Sequence, residues 1–309
     1  MVALVVLLAV VAVVTASCSD TQDAAPSPTT LRPPDQSDLA YGPLPGCGAD
    51  DSDCGGSQQL DIYRSSVPGP NPVMVWLHGG GGVAGDKAGE VPEDLQALLD
   101  DGWDIVSANY RLATTGGANR FPAGLLDAKR AVRWVKANAV AQDWNPGRVA
   151  AAGHSMGGNL VQLLATTAGD PSLEPTKLPA DLAAQDSSIV AGLSVSAVSN
   201  LATFNAAGWM GMSVDRYLGC SITCPLRMAQ ASVAPHVTPA AAPVVAVHGA
   251  KDPWAAPTQG EEVQAAYERA GIGDRFELLV ISDGSDADQG HTPDVAQVMD
   301  DVRSFLDRQ

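Results

Sequence analysis

The feature that most constrains the fold of this chain is a strand-like run that turns sharply and continues at once as a helix-like run. The first run is Arg148–Ala152 and the second is Gly158–Ala165. Between them lie residues 153–157, whose sequence G-H-S-M-G has the pattern G-x-S-x-G. The chain must fold back on itself there, so only small residues fit beside the turn. The pattern therefore predicts a tight strand-to-helix turn that exposes the hydroxyl of Ser155 to solvent.

Strand-like and helix-like segments also alternate along the chain after residue 58. The run Gln59–Arg64 alternates polar and apolar residues, which favours an early antiparallel strand, whereas Pro72–Leu77 is continuously apolar, as in a strand buried on both faces. This alternation predicts one α/β domain over residues 41–309, with a mostly parallel central sheet and helices on both faces. The other predicted strands are Trp103–Ala108, Ser188–Ser196, Ala242–His248 and Phe276–Ile281, and the predicted helices are Pro92–Asp101, Phe121–Ala139, Gln259–Ala270 and Pro293–Asp307.

The stretch 197–241 interrupts this alternation. It contains Trp209, Met210, Met212 and Tyr217, together with two cysteines that are close in sequence. We expect a cap-like insertion that lies over one end of the sheet and shapes a substrate pocket. The alternative interpretation is a structural excursion held by one disulfide.

Residues 1–18 form a segment of a different kind. Met1–Ala16 consists almost wholly of Val, Leu and Ala, with no Lys or Arg before it. This run is short for a membrane span, which needs about 20 residues, and it fits the apolar part of a secretory leader better. Residues 15–18, T-A-S-C, resemble a bacterial lipobox, which makes Cys18 a candidate lipidation site. The open alternatives are an exported cell-surface lipoprotein, a secreted protein and an uncleaved anchor.

Residues 19–40 are rich in Ser, Thr, Pro, Asp and Gln and lack apolar periodicity, so a flexible linker is predicted there. The whole chain is 45% hydrophobic and 17% charged, a composition that allows a globular core. Its formal net charge of −17 repels nucleic acid and anionic membrane surfaces. We therefore expect no nucleic-acid partner, and contact with a membrane only through a lipid anchor.

The remaining cysteines, Cys47, Cys54, Cys220 and Cys224, support export because an even number of them outside the cytosol favours disulfides. Four cysteines allow three pairings. We predict the local one, Cys47 with Cys54 and Cys220 with Cys224, because the partners are close in sequence. The alternative is a zinc site, but no paired His-x-x-x-His accompanies these cysteines, so no metal is expected.

Attack on an ester carbonyl needs a nucleophile, a base, a group that orients the base and donors for the developing oxyanion. Ser155 is the candidate nucleophile. Among the five histidines, His291 is the candidate base, because it follows the last predicted strand in a loop that opens at the same sheet edge as Ser155. His154 is expected to be structural although it precedes Ser155. The other histidines, His78, His236 and His248, are expected to hold loops or to lie in the insertion.

The orienting acid is predicted to be Asp252, which lies just beyond the strand that ends at His248. Its carboxylate would accept the Nδ1 proton of the base and stabilise the imidazolium. The rivals are Asp283, Asp286 and Asp288, which are close to His291 in sequence. An acidic loop is usually just solvated, so Asp252 is favoured.

A glycine-rich segment follows the buried strand that ends at Leu77. Residues 78–82 read H-G-G-G-G, and side-chain-free residues there expose backbone N–H groups to a substrate oxygen. The candidate oxyanion donors are the N–H groups of Gly79, Gly80 and Met156. A phosphate-binding loop is the alternative, but the pattern G-x-x-x-x-G-K-[ST] is absent from the sequence.

Together these motifs resemble those of the α/β-hydrolase esterases, in particular the carboxylesterases of the hormone-sensitive-lipase and feruloyl-esterase-like groups. The resemblance covers about residues 59–305. It implies hydrolysis of carboxylic esters through an acyl-enzyme, without a cofactor. The expected substrates are esters of short or medium acyl groups, including acetyl or feruloyl esters of polysaccharide. The residues that carry it are Leu60–Tyr63, His78–Gly81, Asn109–Leu112, Gly153–Gly158, Asp252 and His291.

The resemblance also gives roles to two further places in the chain. Residues 109–111 are expected to shape the glycine loop rather than react. Met156 stands where the lipase-like group often has Ala, and its long side chain is expected to restrict the pocket. Peptidase or amidase activity on the same fold is an alternative. A non-catalytic binding protein is a second alternative, which would require a broken triad.

Overall fold

The computed structural model describes residues 32–42, 57–89, 91–204, 208–220, 224–283, 285 and 289–309. The predicted leader with Cys18, the predicted pair Cys47 and Cys54, and most of the predicted linker lie outside these residues.

One eight-stranded sheet runs through the described part of the chain, in the spatial order β1-β2-β4-β3-β5-β6-β7-β8. Strands β1, β2 and β4 pair antiparallel, and all pairs from β4 through β3 to β8 are parallel. The mostly parallel sheet and the early antiparallel strand are therefore confirmed. The strands are β1 Gln36–Ala40, β2 Gln59–Tyr63, β3 Asn71–Leu77, β4 Asp104–Ala108, β5 Trp144–His154, β6 Gly192–Val195, β7 Val244–Gly249 and β8 Phe276–Ile281.

Helices cover both faces of the sheet because alternate residues of each central strand point to opposite sides. In β3, Val73 and Val75 belong to a buried cluster with α2, α4 and α8, whereas Met74 and Trp76 belong to a second cluster with α1 and α9. The helices are α1 Gln96–Asp100, α2 Ala123–Ala137, α3 Ala139–Gln142, α4 Met156–Thr167, α5 Ala180–Ala183, α6 Trp209–Leu218, α7 Pro225–Ala231, α8 Thr258–Arg269 and α9 Met299–Asp307.

The linker prediction for residues 19–40 was wrong at its end, because Gln36–Ala40 forms edge strand β1 and pairs with β2. Backbone pairing and one ion-pair cluster hold the strand, so apolar periodicity was a poor guide to it. The ammonium group of Lys87 lies 2.8 Å from a carboxylate oxygen of Asp38 and 3.0 Å from one of Asp61. Lys87 and Asp61 are both buried.

Two of the segments predicted as helices begin with a 3₁₀ turn. The segment predicted at Pro92–Asp101 includes the 3₁₀ turn Glu93–Leu95 before α1, and the segment predicted at Pro293–Asp307 includes the 3₁₀ turn Val295–Val298 before α9. A 3₁₀ turn and an α-helix share nearly the same apolar spacing, so the pattern does not separate them.

The stretch 197–241 connects β6 to β7 and contains α6 and α7. A disulfide joins Cys220 to Cys224 between these two helices. Helix α6 lies against the glycine loop that follows β3, because a Cβ built on Gly82 would come within 2.5 Å of the ring of Tyr217. This places α6 at the carboxyl edge of the sheet. Within the described residues, no helix has the length and apolar character that a membrane span requires.

Candidate active site

Ser155 lies at the turn between β5 and α4 with a backbone φ of 56° and ψ of −117°. A non-glycine residue rarely adopts a positive φ, so the surrounding contacts must hold this strained conformation. The N–H of Ser155 donates to the carbonyl of Val195 at 2.8 Å, and its own carbonyl accepts from the N–H of Asn159 at 3.1 Å. The sharp turn matches the prediction, but Ser155 is only 3% exposed rather than open to solvent.

The glycines on either side of Ser155 are required by close backbone approach. A Cβ on Gly157 would lie 2.1 Å from the carbonyl oxygen of Leu77, and one on Gly153 would lie 2.6 Å from the backbone of Gly157. Both distances are far below van der Waals contact. The end of β3 and the start of α4 can therefore pack together only if these positions lack side chains.

His291 connects the two other candidate residues of the site. Its Nε2 lies 2.9 Å from the Oγ of Ser155, and its Nδ1 lies 2.9 Å from Oδ2 of Asp252. A carboxylate only accepts hydrogen bonds, so Nδ1 carries the proton and Nε2 is free to accept the serine hydroxyl proton. The structure thus brings together three residues that are far apart in sequence, in the geometry of a nucleophile, a base and an orienting acid.

Asp252 is buried at the end of β7, and its second carboxylate oxygen accepts the N–H groups of Trp254 and Ala255, both at 2.9 Å. Burial alone raises the pKa of this carboxyl, but the hydrogen bond and charge of His291 and the two N–H groups outweigh burial and lower the pKa overall. The group is therefore ionised. Among the described residues, Asp252 is the carboxylate bonded to His291. The rivals Asp286 and Asp288 lie outside those residues.

The glycine loop after β3 passes directly beside Ser155. A Cβ built on Gly79 would lie 3.4 Å from the Cβ of Ser155. Gly80 has a φ of 92°, and its carbonyl accepts the N–H groups of Val83 and Ala84, which closes a tight turn. The predicted donors Gly79 and Gly80 therefore lie on a backbone segment next to the candidate nucleophile. Met156, the third predicted donor, is the first residue of α4.

The side chain of Met156 does not restrict the substrate pocket, contrary to the expectation from the sequence. Its side chain is buried within the apolar cluster on the α2 and α4 face of the sheet. Packing in the core, rather than a wall of the substrate site, therefore accounts for the long side chain at this position.

Tyr110 holds the start of the glycine loop. Its ring stacks on the imidazole of His78 at 4.4 Å, and its hydroxyl donates to the carbonyl of His78 at 2.9 Å. The side-chain oxygen of Asn109 accepts the N–H of Lys87, further along the same connection. These contacts are those expected of residues that shape the loop.

His154 is linked to the candidate base in a way that the sequence did not indicate. Its Nε2 donates to the backbone carbonyl of His291 at 2.7 Å, and the two rings lie 4.9 Å apart. Burial, together with the charge of the neighbouring His291, lowers the pKa of His154 to about 4. His154 is therefore neutral near pH 7. The other histidines hold loops: Nδ1 of His248 meets the carbonyl of Ala255, and Nε2 of His236 meets that of Gln230.

Two aromatic side chains near the site were not assigned roles from the sequence. The indole of Trp254 meets the imidazole of His291 edge-on at 4.9 Å and is 45% exposed. Trp209, at the start of α6, is 53% exposed, and its ring reaches within 3.9 Å of a Cβ built on Gly81. The D-P-W sequence at 252–254 was the available signal for Trp254. Among the described residues, no group of three potential metal ligands is present.

The BD-FAE family model matches residues 60–267, which is more than half of the chain. The chain belongs to the BD-FAE family. "Esterase LipQ" of Mycobacterium tuberculosis is 29% identical over 80% of this chain and 56% of its own length. "Probable carboxylic ester hydrolase LipM" of the same organism is 34% identical over 42% of this chain and 30% of its own length. This member of the BD-FAE family thus spans about half, or less, of these curated relatives.

A solved structure described as a truncated form of a carbohydrate esterase from gut microbiota has the same architecture. It superposes with a TM-score of 0.71, covering 88% of this chain and 94% of its own, at 20% sequence identity. At this identity the likeness concerns the fold. The fold predicted from the sequence, an α/β-hydrolase fold, is confirmed.

Proposed function

We propose that this BD-FAE family member hydrolyses carboxylic esters with Ser155 as nucleophile, His291 as base and Asp252 as the acid that orients the base. The observation that carries the proposal is the continuous chain of hydrogen bonds from Ser155 through His291 to Asp252, with both links at 2.9 Å. The relatives described as esterases support the reaction class.

Acylation begins when Nε2 of His291 takes the proton of Ser155 and Oγ attacks the ester carbonyl. The carbonyl oxygen becomes an oxyanion beside the glycine loop, where the N–H groups of Gly79, Gly80 and Met156 stabilise it. One such donor is worth about 3–4 kcal/mol in the transition state. The ionised Asp252 stabilises the imidazolium that forms. The tetrahedral intermediate then collapses, and the leaving alcohol takes the proton from Nε2.

Deacylation repeats these steps with water. Nε2 of His291 takes a proton from the water molecule, the hydroxide attacks the acyl carbonyl, and Ser155 leaves with the proton returned by His291. The chain's own residues supply every proton transfer, so no cofactor is needed.

The finer substrate proposal is an ester of a short or medium acyl group, with acetyl and feruloyl esters of polysaccharide as the leading examples. The sequence motifs and the carbohydrate-esterase description of the solved neighbour support this class. Hydrolysis of nitrophenyl esters of increasing acyl length, alongside acetylated xylan and feruloyl esters, tests it directly. Ser155→Ala should lower the rate by roughly 10⁴-fold or more, and Ser172→Ala, at an exposed serine, should not. Absence of hydrolysis by the wild type, or its persistence in Ser155→Ala, would overturn the proposal.

We also propose that the protein acts outside the cytoplasm, as a lipoprotein or a secreted enzyme. The Cys220–Cys224 disulfide supports this location, because disulfides persist in oxidising compartments. Mass spectrometry of the mature N-terminus distinguishes the two forms: a diacylated Cys18 indicates a lipoprotein, and an unmodified terminus indicates secretion. A cytoplasmic chain that retains residues 1–18 would contradict both.

A further inference from the structure

Trp254 combines contact with the proposed base and access to solvent. Its backbone N–H donates to Asp252 at 2.9 Å, so the residue belongs to the turn that presents the acid. Its indole meets the imidazole of His291 edge-on, at a centroid distance of 4.9 Å and an interplanar angle of 74°. A large aromatic side chain that is 45% exposed forgoes much of the stabilisation that burial would provide. Trp254 therefore has an apolar surface available for a ligand beside the base.

Trp209 lies beside the glycine loop, as Trp254 lies beside the proposed base. It begins α6, and its carbonyl accepts the hydroxyl of Ser213. The Cβ of Ser213 lies 2.9 Å from a Cβ built on Gly81. The ring reaches within 3.9 Å of that same Cβ position and is 53% exposed. Of the six tryptophans in the chain, Trp209 and Trp254 are the two with exposed side chains.

The reaction chemistry assigns the two halves of an ester to these two places. The leaving oxygen takes its proton from Nε2 of His291, so the alcohol half must extend past the imidazole and the indole that packs on it. The carbonyl oxygen points to the N–H groups of the glycine loop. The acyl substituent is bonded to the same carbon and diverges from the alcohol, so the side left for it is that of the glycine loop, where α6 presents Trp209.

We propose that Trp254 and Trp209 divide substrate recognition, with Trp254 contacting the alcohol half of the ester and Trp209 the acyl half. An exposed indole favours a ring-bearing alcohol over a small aliphatic one, because a ring offers a flat face to pack against. By the same argument Trp209 favours acyl groups longer than acetyl. This inference rests on the proposed ester hydrolysis and adds the residues that select its substrate.

A kinetic consequence separates the two roles. Two acetate esters with different alcohols form the same acetyl-enzyme, so their deacylation rates are identical. Substitution of Trp254 should therefore act on acylation alone and depend on the alcohol. Substitution of Trp209 should act on both steps and depend on the acyl chain.

The experiment uses ethyl acetate, benzyl acetate and benzyl butanoate with the full chain. Ethanol and benzyl alcohol have similar acidity, so the benzyl-to-ethyl ratio of kcat/KM reports recognition of the ring. Trp254→Ala should lower this ratio by about 3–10-fold, the size of one aromatic packing interaction, and leave the butanoate-to-acetate ratio within about twofold. Trp254→Phe should retain most of the benzyl preference. Trp209→Ala should lower the butanoate-to-acetate ratio by about 3–10-fold and leave the benzyl-to-ethyl ratio unchanged.

Loss of the indole could impair His291 for every ester alike. Such a general effect cancels when the kcat/KM values of two esters are compared within the same variant. Val140→Ala, at an exposed residue of α3, is the control and should change neither ratio. Unchanged ratios in both tryptophan variants, or equal effects of Trp254→Ala on ethyl and benzyl acetate, overturn the division of recognition while ester hydrolysis stands. A wild type that hydrolyses none of the three esters overturns both proposals.

Discussion

At the scale of single residues, the carboxylate of Asp252 has two separate tasks. One oxygen accepts the Nδ1 proton of His291, and the other accepts two backbone N–H groups of its own turn. The turn fixes the carboxylate, and the carboxylate fixes the imidazole in the tautomer that can accept a proton from Ser155. Loss of the negative charge alone would leave the packing intact, but the side chain would no longer fix the tautomer of His291.

Asp252→Asn is therefore expected to lower kcat/KM for ester hydrolysis by about 10⁴-fold with the fold preserved, because the amide favours the wrong imidazole tautomer. Steady-state kinetics measures the loss, and circular dichroism checks the fold. The matched control is Asp283→Asn, at an exposed carboxylate of the loop after β8, which should retain wild-type activity. Near-wild-type activity of Asp252→Asn would instead assign the acid to the loop aspartates.

His154 gives the folded protein a dependence on acid pH. Burial lowers its pKa to about 4 from an ordinary value of 6.5. Between these pH values the unfolded chain binds a proton that the folded chain does not, so the free energy of unfolding falls as the pH drops from about 6.5 to about 4.

His154→Gln keeps a donor for the carbonyl of His291 but cannot bind the proton. The variant should therefore lose about 2 kcal/mol less free energy of unfolding than the wild type between pH 6.5 and pH 4, as measured by urea unfolding. Equal losses in the two proteins would show that His154 is not held neutral in the fold.

The sequence indicates candidate residues for the site more readily than the contacts around them. Ser155, Asp252 and His291 each follow a strand, so a parallel sheet brings them to one edge. The bond from His154 to the carbonyl of His291 joins positions 137 residues apart, and no local pattern encodes it. The packing of Trp254 on His291 likewise depends on how two loops meet.

At the scale of elements, the turn between β5 and α4 depends on glycine at positions where two backbones touch. A Cβ on Gly157 would lie 2.1 Å from the carbonyl oxygen of Leu77, a rigid part of β3. Because Leu77 belongs to a central strand, the clash cannot be relieved by a rotamer change.

Gly157→Ala is expected to lower the free energy of unfolding by about 3 kcal/mol or more and to reduce ester hydrolysis with it, since the strand and helix must separate. Urea unfolding measures the change. Gly89→Ala is the control, because the nearest atom to its added Cβ would be 4.0 Å away. Similar stabilities of the two variants would contradict this account of the turn.

Apolar spacing predicts the bounds of some elements directly. Strand β8 was predicted at Phe276–Ile281 and has those bounds. The sequence predicts a linker where strand β1 lies, because its five residues pair through backbone and charge rather than through an apolar face. The sequence predicts α-helix at the 3₁₀ turns before α1 and α9, because their apolar spacing resembles that of an α-helix.

At the scale of the whole molecule, an ion-pair cluster of buried Lys87 and Asp61 with exposed Asp38 ties the first described strand to the sheet and to the connection after β3. Burial opposes the charge of Lys87, but its hydrogen bonds to the two carboxylates outweigh burial and raise its pKa. Removal of the ammonium would leave the buried carboxylate of Asp61 without its cation.

Lys87→Met should therefore lower the free energy of unfolding by about 3–5 kcal/mol. Arg303→Met, which breaks the exposed pair with Asp101, should cost no more than about 1 kcal/mol. Chemical denaturation of the two variants makes the comparison. Equal losses of unfolding free energy in the two variants would mean that burial does not increase the cost of breaking an ion pair.

The overall architecture was predictable because alternating strand and helix patterns leave few arrangements of a parallel sheet. The position of α6 was not, since it depends on packing between Tyr217 and the glycine loop. The two helices of the stretch 197–241 carry apolar residues in any arrangement, and only the folded chain shows which of them face the site.

The most direct measurement of the central claim is intact-protein mass spectrometry after reaction with a fluorophosphonate, a reagent that labels activated serines. The account predicts one adduct per chain, mapped by peptide analysis to Ser155, absent from Ser155→Ala and formed far more slowly in Asp252→Asn. A folded wild-type protein that remains unlabelled, or that carries its adduct on another serine, would contradict it.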